Sequence, residues 1–553
     1  MSSAPPGPDT PPVPRRLPLA GVLRLGRPSE IWFKPALSVV AAVAPPNLTL
    51  LALGRLDLAL YTMAGALCAL YAHDRPYAAR ARALALVVLG MVGGLAVALV
   101  AASLTHSAAV LVAVGALLAA TQKALSDATR LGPPGNVVLT FITSAALFTP
   151  QTLDQVPGHV ALALAAGVWS WAVGMAPGLI RPHGPERRAT AAALNAAAAY
   201  ATTRGTGDGH ARARAHAAAA LQNARQTLLS AGRRSTTRRA LERLVVRAEV
   251  ALAAPADTDP ERLRALARDL RGTGPVRCAG ADEPLGVAAV PRRPLRERLR
   301  PLAPLALRTA LGCALAGYAS LALGIGRPYW ALVTAASLYQ ANLALTWSRG
   351  VQRVVGNLAG VLFFAALAPL AHLGQPALVL CCLALNFGAE ALISRNYWLG
   401  SVCVTPMALL ITEFAGYQQP GALITERVVD TVVGALVGLA AAVAVTDRRA
   451  GDRVERALTA VERARERAAR LLAEPQSAPT ALESAHRALT AALVDLRTTA
   501  DAASGEWRRR ALPQERVALA EQSGHRTLAA TTRRRAQHRR PSTDHSTTEG
   551  PRP

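Results

Sequence analysis

Residues 83–103 read ALALVVLGMVGGLAVALVAAS, a stretch of 21 residues without a charged side chain. An α-helix rises about 1.5 Å per residue, so this stretch is long enough to cross the roughly 30 Å hydrocarbon core of a bilayer. Its apolar residues are continuous rather than alternating, which favours a helix over a strand of a membrane barrel. The stretch therefore predicts a membrane-spanning helix.

Similar apolar runs recur along the 553-residue chain, six in each half, and short polar breaks separate them. In the first half they cover 35–53, 58–72, 83–103, 107–121, 137–148 and 159–180. In the second half they cover 302–323, 329–347, 354–373, 376–394, 397–414 and 428–445. The predicted fold is an all-α integral membrane protein with two six-helix transmembrane bundles, about 12 spans, each followed by a cytoplasmic helical region.

The basic residues give this membrane protein an orientation. The formal net charge is +26, of which the segments 182–300 and 447–553 carry +11 and +7. Because Lys and Arg accumulate on the cytoplasmic side of a membrane, we expect these segments and both termini to be cytoplasmic. The N-terminal segment adds Arg15, Arg16 and Arg27 to this side. We expect anionic lipid of the inner leaflet as a partner, and no nucleic acid, because no aromatic interleaving or DNA-binding motif accompanies the charge.

These patterns predict six regions. They are a cytoplasmic N-terminal segment (1–34), a first transmembrane bundle (35–181), a cytoplasmic helical region (182–301), a second transmembrane bundle (302–446), a second cytoplasmic helical region (447–530) and a disordered basic tail (531–553). Gly54-Arg55 and Gly326-Arg327 each lie between two apolar runs, 272 residues apart. This spacing predicts two parallel copies of one six-helix unit.

Enzymatic motifs are missing from the sequence. The two lysines, Lys34 and Lys123, do not belong to a phosphate-binding loop, and no zinc-protease or nucleophile-elbow motif is present. The six cysteines have no metal-ligand spacing with a histidine pair. We predict no catalytic residue, no metal site and no cofactor.

Three stretches of the second half contain motifs that composition alone does not explain. Arg327-Pro328-Tyr329-Trp330 opens the eighth run, and Arg349-Gly350-Val351-Gln352-Arg353-Val354-Val355-Gly356 precedes the ninth. Arg395-Asn396-Tyr397-Trp398 opens the eleventh, with Arg427 and Asp430 at the start of the twelfth. Arg349 and Arg353 share a helix face, Gly356 and Gly360 form a surface for close helix packing, and Arg427 and Asp430 are spaced for pairing.

In this order the motifs resemble the fusaric acid resistance-like family of inner-membrane proteins, which is related to aromatic acid exporters. The resemblance covers 302–446, while the first half matches in organisation only. It implies an exporter-like permease for small organic, often aromatic, anions. The residues that carry it are Tyr329, Trp330, Arg349, Arg353, Gly356, Gly360, Arg395, Asn396, Tyr397, Pro406, Arg427, Asp430, Thr431 and Gly434.

Polar residues inside the apolar runs of the second half are candidates for a substrate pathway, because polar groups in hydrocarbon are costly. They are Arg308, Gln340, Asn342, Asn386 and Glu390. Arg308 either extends to the interface or faces a cavity and binds an anionic substrate. Glu390 either pairs with Arg395 at the cytoplasmic interface or couples transport to protons, and Glu413 has the same two interpretations near the opposite face.

The leading hypothesis is a permease of the cytoplasmic membrane that exports small organic anions. One alternative is a non-transporting membrane scaffold whose basic helical regions bind partners or lipid, and another is a passive anion channel. Homo-oligomerisation is compatible with each of the three.

Overall fold

The computed structural model describes residues 13–14, 19–26, 31–203, 208–231, 235–272, 274, 276, 294–340, 342–416, 418–445, 450–504, 508–509 and 514–538. Arg15, Arg16 and Arg27 lie outside the described residues, as do residues 1–12 and 539–553 of the predicted terminal segments. The described chain is helical apart from loops and one short antiparallel contact, in which β1 (Val13–Pro14) pairs with β2 (Arg508–Arg509).

The helices follow one another with short connections. In chain order they are α1 (Phe33–Ala52), α2 (Ala59–Ala66), α3 (Tyr77–Leu104), α4 (Ala108–Ala128), α5 (Val137–Leu147), α6 (Val156–Met175), α7 (Pro177–Ile180), α8 (Gly184–Thr202), α9 (Asp208–Ser230), α10 (Thr236–Ala253), α11 (Pro260–Asp269), α12 (Leu295–Leu299), α13 (Ala303–Ala322), α14 (Tyr329–Leu338), α15 (Leu343–Ala371), α16 (Gln375–Ile393), α17 (Tyr397–Thr412), α18 (Pro420–Ala444), α19 (Ala450–Ala473), α20 (Pro479–Ser504) and α21 (Gln514–His538). Single 3-10 turns flank several of them, including Leu56–Leu58 and Leu67–Leu70 on either side of α2.

The chain divides into two compact units. The first, which we call the membrane unit, contains Met1–Pro182, Arg293–Ala450 and Ala502–Ala511. The second, the helical unit, contains His183–Arg292, Gly451–Asp501 and Leu512–Pro553. Both predicted cytoplasmic helical regions therefore contribute to one unit.

The helices of the membrane unit repeat in order and length. The first helix of each half has 20 residues, and the third has 28 in α3 and 29 in α15. The second and fifth helical segments of each half are short, and the sixth spans 25 residues in both halves. This agrees with the internal repeat that the two Gly-Arg pairs predict.

The two predicted six-helix halves pack against each other within the membrane unit. The first helix of each half packs on the fourth helix of the other half, α1 on α16 and α13 on α4. Each half thus covers an apolar helix face of the other, which explains why both halves belong to one compact unit.

Among the described residues, eight helices are long and apolar enough to cross a membrane. They are Phe33–Ala52, Tyr77–Leu104, Ala108–Ala128, Val156–Ile180, Leu295–Ala322, Leu343–Ala371, Gln375–Ile393 and Pro420–Ala444. The four other predicted spans are the shorter apolar segments Leu56–Leu70, Val137–Leu147, Tyr329–Leu338 and Tyr397–Thr412. The described residues thus support a multi-pass membrane protein with eight candidate spanning helices, and the arrangement with twelve spans stays a prediction.

The short segments form the interior of the membrane unit. All ten residues of α14 are buried, as are seven of the eight residues of α2. The long helices instead expose leucines, with Leu117 65% and Leu362 73% exposed. Without water in the bilayer core, short helices and their breaks are tolerated where protein surrounds them, while exposed leucines suit a lipid-facing surface.

One predicted span, 329–347, is divided in the structure. Helix α14 ends at Leu338 and α15 begins at Leu343. Asn342 has an extended backbone, and its side-chain oxygen accepts the Leu345 N–H at 2.9 Å. Because this cap starts a new helix, Arg349 and Arg353 lie inside α15 and not in a loop between two spans.

The helical unit is held by an alanine- and leucine-rich core. Helices α8 to α11 pack together around Leu194, Leu221 and Leu244, which are at most 4% exposed. Helix α21 continues to His538, so the prediction of a disordered tail from residue 531 is wrong for residues 531–538. The physical reason is packing, since Thr531 is fully buried and its hydroxyl lies 2.8 Å from Nδ1 of His486.

A charged pair lies inside this unit. Arg225 and Glu249 form an ion pair in which both side chains are at least 90% buried. Burial by itself raises the pKa of Glu249, but the charge of the paired Arg225 holds it below its ordinary value. Removing one member of such a pair is costly because the other is left buried without compensation.

The close contact between α15 and α17 predicts that Gly356→Ala destabilises the membrane unit. A Cβ at Gly356 would lie 2.5 Å from Cβ of Ser401 and 2.6 Å from the Trp398 carbonyl oxygen, so the helices must separate. Overpacking of this kind costs about 1–3 kcal/mol. Thermal unfolding of the detergent-solubilised protein should show a lower midpoint. The matched control is Gly90→Ala on α3, where a Cβ meets nothing within 4 Å. Equal midpoints for the two variants would contradict this packing.

The helical unit should lose stability as the pH falls from 6.5 to 4. Burial lowers the pKa of His525 to about 4. The charges of Arg225 and Arg214 also lower this pKa, while the charge of Glu249 raises it. Between these pH values the unfolded chain binds a proton that the folded chain does not, which removes about 3 kcal/mol of stability. Hydrogen exchange of α10 and α21 peptides, corrected for intrinsic rates, measures the loss. The His525→Gln variant should show a smaller loss, and an unchanged loss would exclude His525 as the cause.

Candidate functional site

Two arginines of the family motifs are buried inside the membrane unit. Arg353 of α15 is 3% exposed and Arg427 of α18 is 1% exposed. Both lie on helices that are long enough to span a membrane. A buried guanidinium group in such surroundings is costly unless its N–H groups and its charge are compensated. The partners of these two side chains therefore decide what the site can do.

Arg427 is compensated mainly by an aromatic ring. Its guanidinium carbon lies 4.1 Å from the centre of the Trp330 ring. Trp330 belongs to the buried helix α14 and stacks on Phe141 of α5, with 5.7 Å between ring centres. Nε and Nη1 of Arg427 are buried and have no hydrogen-bond partner among the described residues. Two donors of this cation are thus unused.

Arg353 contacts the tyrosine of the third motif. Its Nη1 donates to the Tyr397 hydroxyl at 3.1 Å, and the guanidinium group of Arg349 lies over the same ring at 3.9 Å. Nε of Arg353 is buried without a hydrogen-bond partner in the described part of the chain. The charge of Arg353 also acts on Arg427, so the two cations repel each other across the site. We call Arg349, Arg353, Arg427, Trp330 and Tyr397 the arginine cluster.

The predicted pairing of Arg427 with Asp430 does not occur. No ion pair within 4.0 Å joins these two described residues; Asp430 instead accepts the Ser320 hydroxyl at 2.6 Å. Asp430 is fully buried, and its second carboxylate oxygen has no partner in the described structure. One helical turn separates the two side chains, but Trp330 occupies the position in front of Arg427 and Ser320 of α13 binds the carboxylate.

A hydrogen-bond network joins α15, α17 and α18 beside the cluster. The Asn357 amide donates to the Thr431 hydroxyl at 2.9 Å and accepts from the Thr405 hydroxyl at 2.7 Å. The Thr431 hydroxyl also donates to the Arg427 carbonyl oxygen at 2.7 Å. All three side chains are at most 1% exposed. The network fixes the helix that carries Arg427 against the helix that carries Arg353.

The motif glycines allow these helices to approach. A Cβ at Gly434 would lie 2.5 Å from the Ala331 carbonyl oxygen, and one at Gly360 would lie 2.7 Å from Cβ of Thr405. Helix α18 therefore contacts α14 beside Trp330, and α15 contacts α17 beside Tyr397. Glycine is required at these positions because any side chain would push apart the helices that carry the cluster.

The remaining motif residues have structural contacts. Asn396 caps α17 at the Trp398 N–H, and its amide donates to the carbonyl oxygens of Val22 and Arg24, both at 3.0 Å. The Arg395 carbonyl accepts the Gly26 N–H at 2.9 Å. These contacts hold residues 19–26 against α17. Tyr329 stacks on Phe148 of α5, and Pro406 is buried within α17.

The predicted pathway residues do not gather at one place. Arg308 is buried, and its Nε and Nη2 donate to the Val445 carbonyl oxygen at 3.0 and 2.6 Å, where α18 ends. Asn342 caps α15, and the Gln340 N–H donates to the Thr346 hydroxyl at 3.1 Å. These residues stabilise the end of α18 and the break between α14 and α15.

The other two candidates lie on α16. The Asn386 amide donates to the Cys382 carbonyl of its own helix at 2.9 Å. Glu390 is half-buried, and its charge acts on Tyr71 of the first half. No ion pair within 4.0 Å joins Glu390 to Arg395 in the described structure. Glu413, at the end of α17, instead contacts Nε2 of His372 at 3.1 Å.

Several contributors to the site had a weaker signal in the sequence. A tryptophan at the start of an apolar run is typical of an anchor at the membrane interface, yet Trp330 is 1% exposed and lies against Arg427. Asn357 is a polar residue within the apolar run 354–373, which was a usable signal. Thr405 and Ser320 had none, because single hydroxyls are common in membrane helices.

The arginine cluster is suited to bind an anion. Three guanidinium nitrogens, two of Arg427 and one of Arg353, are buried and unpartnered among the described residues. A guanidinium group binds a carboxylate through two parallel N–H···O bonds. The rings of Trp330 and Tyr397 border the cations, and Phe141 stacks on Trp330. The donors, the positive charge and the rings together match a small carboxylate with an apolar or aromatic body.

Comparison with known proteins agrees with the family resemblance of the motifs. The chain is similar to the uncharacterized membrane protein YvaC of Bacillus subtilis (strain 168), with 27% identity over 437 residues, 70% of this chain and 68% of YvaC. No solved structure matches the chain. Residues 313–441 match the model of the family described as fusaric acid resistance protein-like, and they contain the motif residues from Tyr329 to Gly434. The resemblance that the motifs indicated is confirmed over residues 313–441, the part of the chain that is similar to this family.

Proposed function

We propose that this chain is a permease that exports small organic anions, of the aromatic carboxylate class, across the cytoplasmic membrane. The observation that carries the proposal is the pair of buried arginines, Arg353 and Arg427, with unpartnered N–H groups in the interior of the membrane unit. The matching family model and the spanning helices support a transport role. In this proposal the termini and the helical unit lie in the cytoplasm, as the basic residues predict.

An anion at the arginine cluster would relieve two costs at once. The cations of Arg353 and Arg427 repel each other, and no carboxylate of the described residues lies within 4.0 Å of either. A bound carboxylate would neutralise part of this charge and accept hydrogen bonds from the unused nitrogens. Because a transporter must also release its substrate, a site that keeps the cations apart from Asp430 is better suited to transport than a closed ion pair.

The short helices around the cluster support the same role. Trp330 lies on α14, which ends at Leu338 in the protein interior, and Tyr397 begins α17. Discontinuous helices of this kind form binding sites in many transporters, because unpaired backbone groups are tolerated at a cavity. Movement of α14 and α17 against the long helices α15 and α18 would expose the cluster to either side.

Substitution of Arg427 should reduce transport. Arg427→Gln removes the charge and the fork of donors, so export of radiolabelled aromatic carboxylates from cells should fall roughly 10- to 100-fold. Arg427→Lys keeps the charge but not the two parallel donors of a guanidinium group, so its export should fall less. The control is Arg55→Gln, an exposed arginine paired with Asp57 in a loop of the membrane unit. The amount of protein in the membrane is measured for each variant.

Two results would contradict this assignment. Normal export by Arg427→Gln and Arg353→Gln would show that the cluster does not bind substrate. Loss of export in Arg308→Gln alone would move the substrate site to the end of α18, where Arg308 contacts Val445. If no compound in the panel moves with the wild-type chain, the scaffold hypothesis is favoured over the permease.

Proton coupling is the second part of the proposal, and Glu390 is its carboxylate. Glu390 lies half-buried on a spanning helix and has no ion pair or hydrogen bond among the described residues. A carboxylate that takes up and releases a proton needs such freedom. Glu390→Gln should abolish the dependence of export on the external pH while the protein still reaches the membrane.

The test for coupling compares export at two external pH values. The wild-type chain should export faster along an imposed proton gradient, and Glu390→Gln should not respond. Glu426→Gln is the matched control, because Glu426 lies on a spanning helix and pairs with Arg327 at 2.9 Å. Export by the wild-type chain that ignores the gradient would favour the passive anion channel.

A further inference from the structure

The helical unit contains a cavity that the transport proposal does not use. Its volume is about 160 Å³, and the side chains that matter for its chemistry are Tyr200, His210, Arg214, Leu252, His525 and Arg526. They come from helices α8, α9, α10 and α21, so both halves of the chain contribute to its wall. A cavity of about 150 Å³ is large enough to hold one benzene ring.

One wall of the cavity is aromatic. The rings of Tyr200 and His210 lie 4.8 Å apart between centres, tilted by 44°. Nδ1 of His210 lies 3.2 Å from the Thr203 hydroxyl, which fixes the orientation of its ring. Leu252 adds an apolar surface. A flat or short apolar group would contact these side chains without displacing them.

The other wall is basic. Arg214 uses Nη2 to donate to the Ala518 carbonyl oxygen at 3.3 Å, and Arg526 is exposed at the rim. Nearby acids have other partners: Glu249 pairs with Arg225 and Glu521 lies 3.6 Å from Arg497. The described lining of the cavity therefore contains two arginines and no carboxylate.

A buried polar atom at this wall has no partner. Nδ1 of His525 is inaccessible to solvent and makes no hydrogen bond within the described chain. Because burial lowers the pKa of His525 to about 4, the ring is neutral near pH 7. A neutral imidazole with its proton on Nδ1 donates one hydrogen bond. This nitrogen donates or accepts according to the tautomer of the ring, so it adds polarity to the wall that the two arginines make basic.

We propose that this cavity binds one small organic carboxylate, with its body against Tyr200, His210 and Leu252 and its carboxylate against Arg214 and His525. All residues of this site belong to the helical unit, so binding there does not depend on substrate binding at the arginine cluster. The ligand class follows from three properties of the site: a volume for about one ring, an aromatic and apolar wall, and a wall that contains two arginines.

Calorimetric titration of the purified full-length protein in detergent with benzoate tests the proposal. Benzamide, which has the same shape without the charge, and inorganic phosphate, which has charge without a ring, are the comparison probes. We expect saturable benzoate binding at pH 7 and at least tenfold weaker binding of both other probes. In the Arg427→Gln background the benzoate site of the helical unit should persist, which separates it from the membrane site.

Variants of the cavity complete the test. Arg214→Gln and His525→Leu, each in the Arg427→Gln background, should weaken benzoate binding at least tenfold. Arg465→Gln in the same background should not, because Arg465 lies on α19 and pairs with Glu462 outside the cavity. Where a cavity variant does not fold, NMR of histidine-labelled protein replaces it. The His525 imidazole signal is the one that is present in Arg465→Gln and absent in His525→Gln. Benzoate should shift this signal. Undiminished binding in the cavity variants, binding of benzamide equal to that of benzoate, or no shift of the His525 signal would overturn the proposal.

Discussion

The guanidinium group of Arg427 lies over the Trp330 ring at 4.1 Å, inside a unit whose outer helices expose leucine. Much of the surrounding structure follows from this contact, because a cation cannot remain in an apolar interior without compensation. Helix α14 must present Trp330 to α18, and Gly434 allows the two helices to come close enough. Asn357 then fixes α18 to α15, which carries the second cation, Arg353.

The short helices are a second consequence of the same arrangement. Helices α14 and α17 bring an aromatic residue to each cation, Trp330 to Arg427 and Tyr397 to Arg353, and neither helix is long enough to cross a bilayer in the way that α15 and α18 are. Their ends and breaks are surrounded by protein, where caps such as Asn342 satisfy backbone groups. The interior thus combines unpartnered donors with short helices whose ends are surrounded by protein.

The sequence predicted the positions of most helices in the membrane unit, because long apolar runs report directly on burial or lipid contact. It also placed the motif residues that gather around Arg353 and Arg427. It did not predict the break at residues 339–342, since the apolar pattern continues through it and only the cap by Asn342 reveals it. The pathway residues were chosen for polarity alone, and polarity does not show that Arg308 is already satisfied by the Val445 carbonyl. Tertiary contacts decide which polar residue remains available to a ligand.

The central claim is that the unpartnered nitrogens of Arg353 and Arg427 bind the carboxylate of a substrate. An experimental structure of the protein with 4-iodobenzoate tests this claim most directly, because the iodine marks the ligand independently of the protein density. We predict that the carboxylate of the ligand lies within hydrogen-bond distance of both guanidinium groups and that its ring contacts Trp330 or Tyr397. Ligand bound elsewhere in the membrane unit, with both arginines still unpartnered, would contradict it.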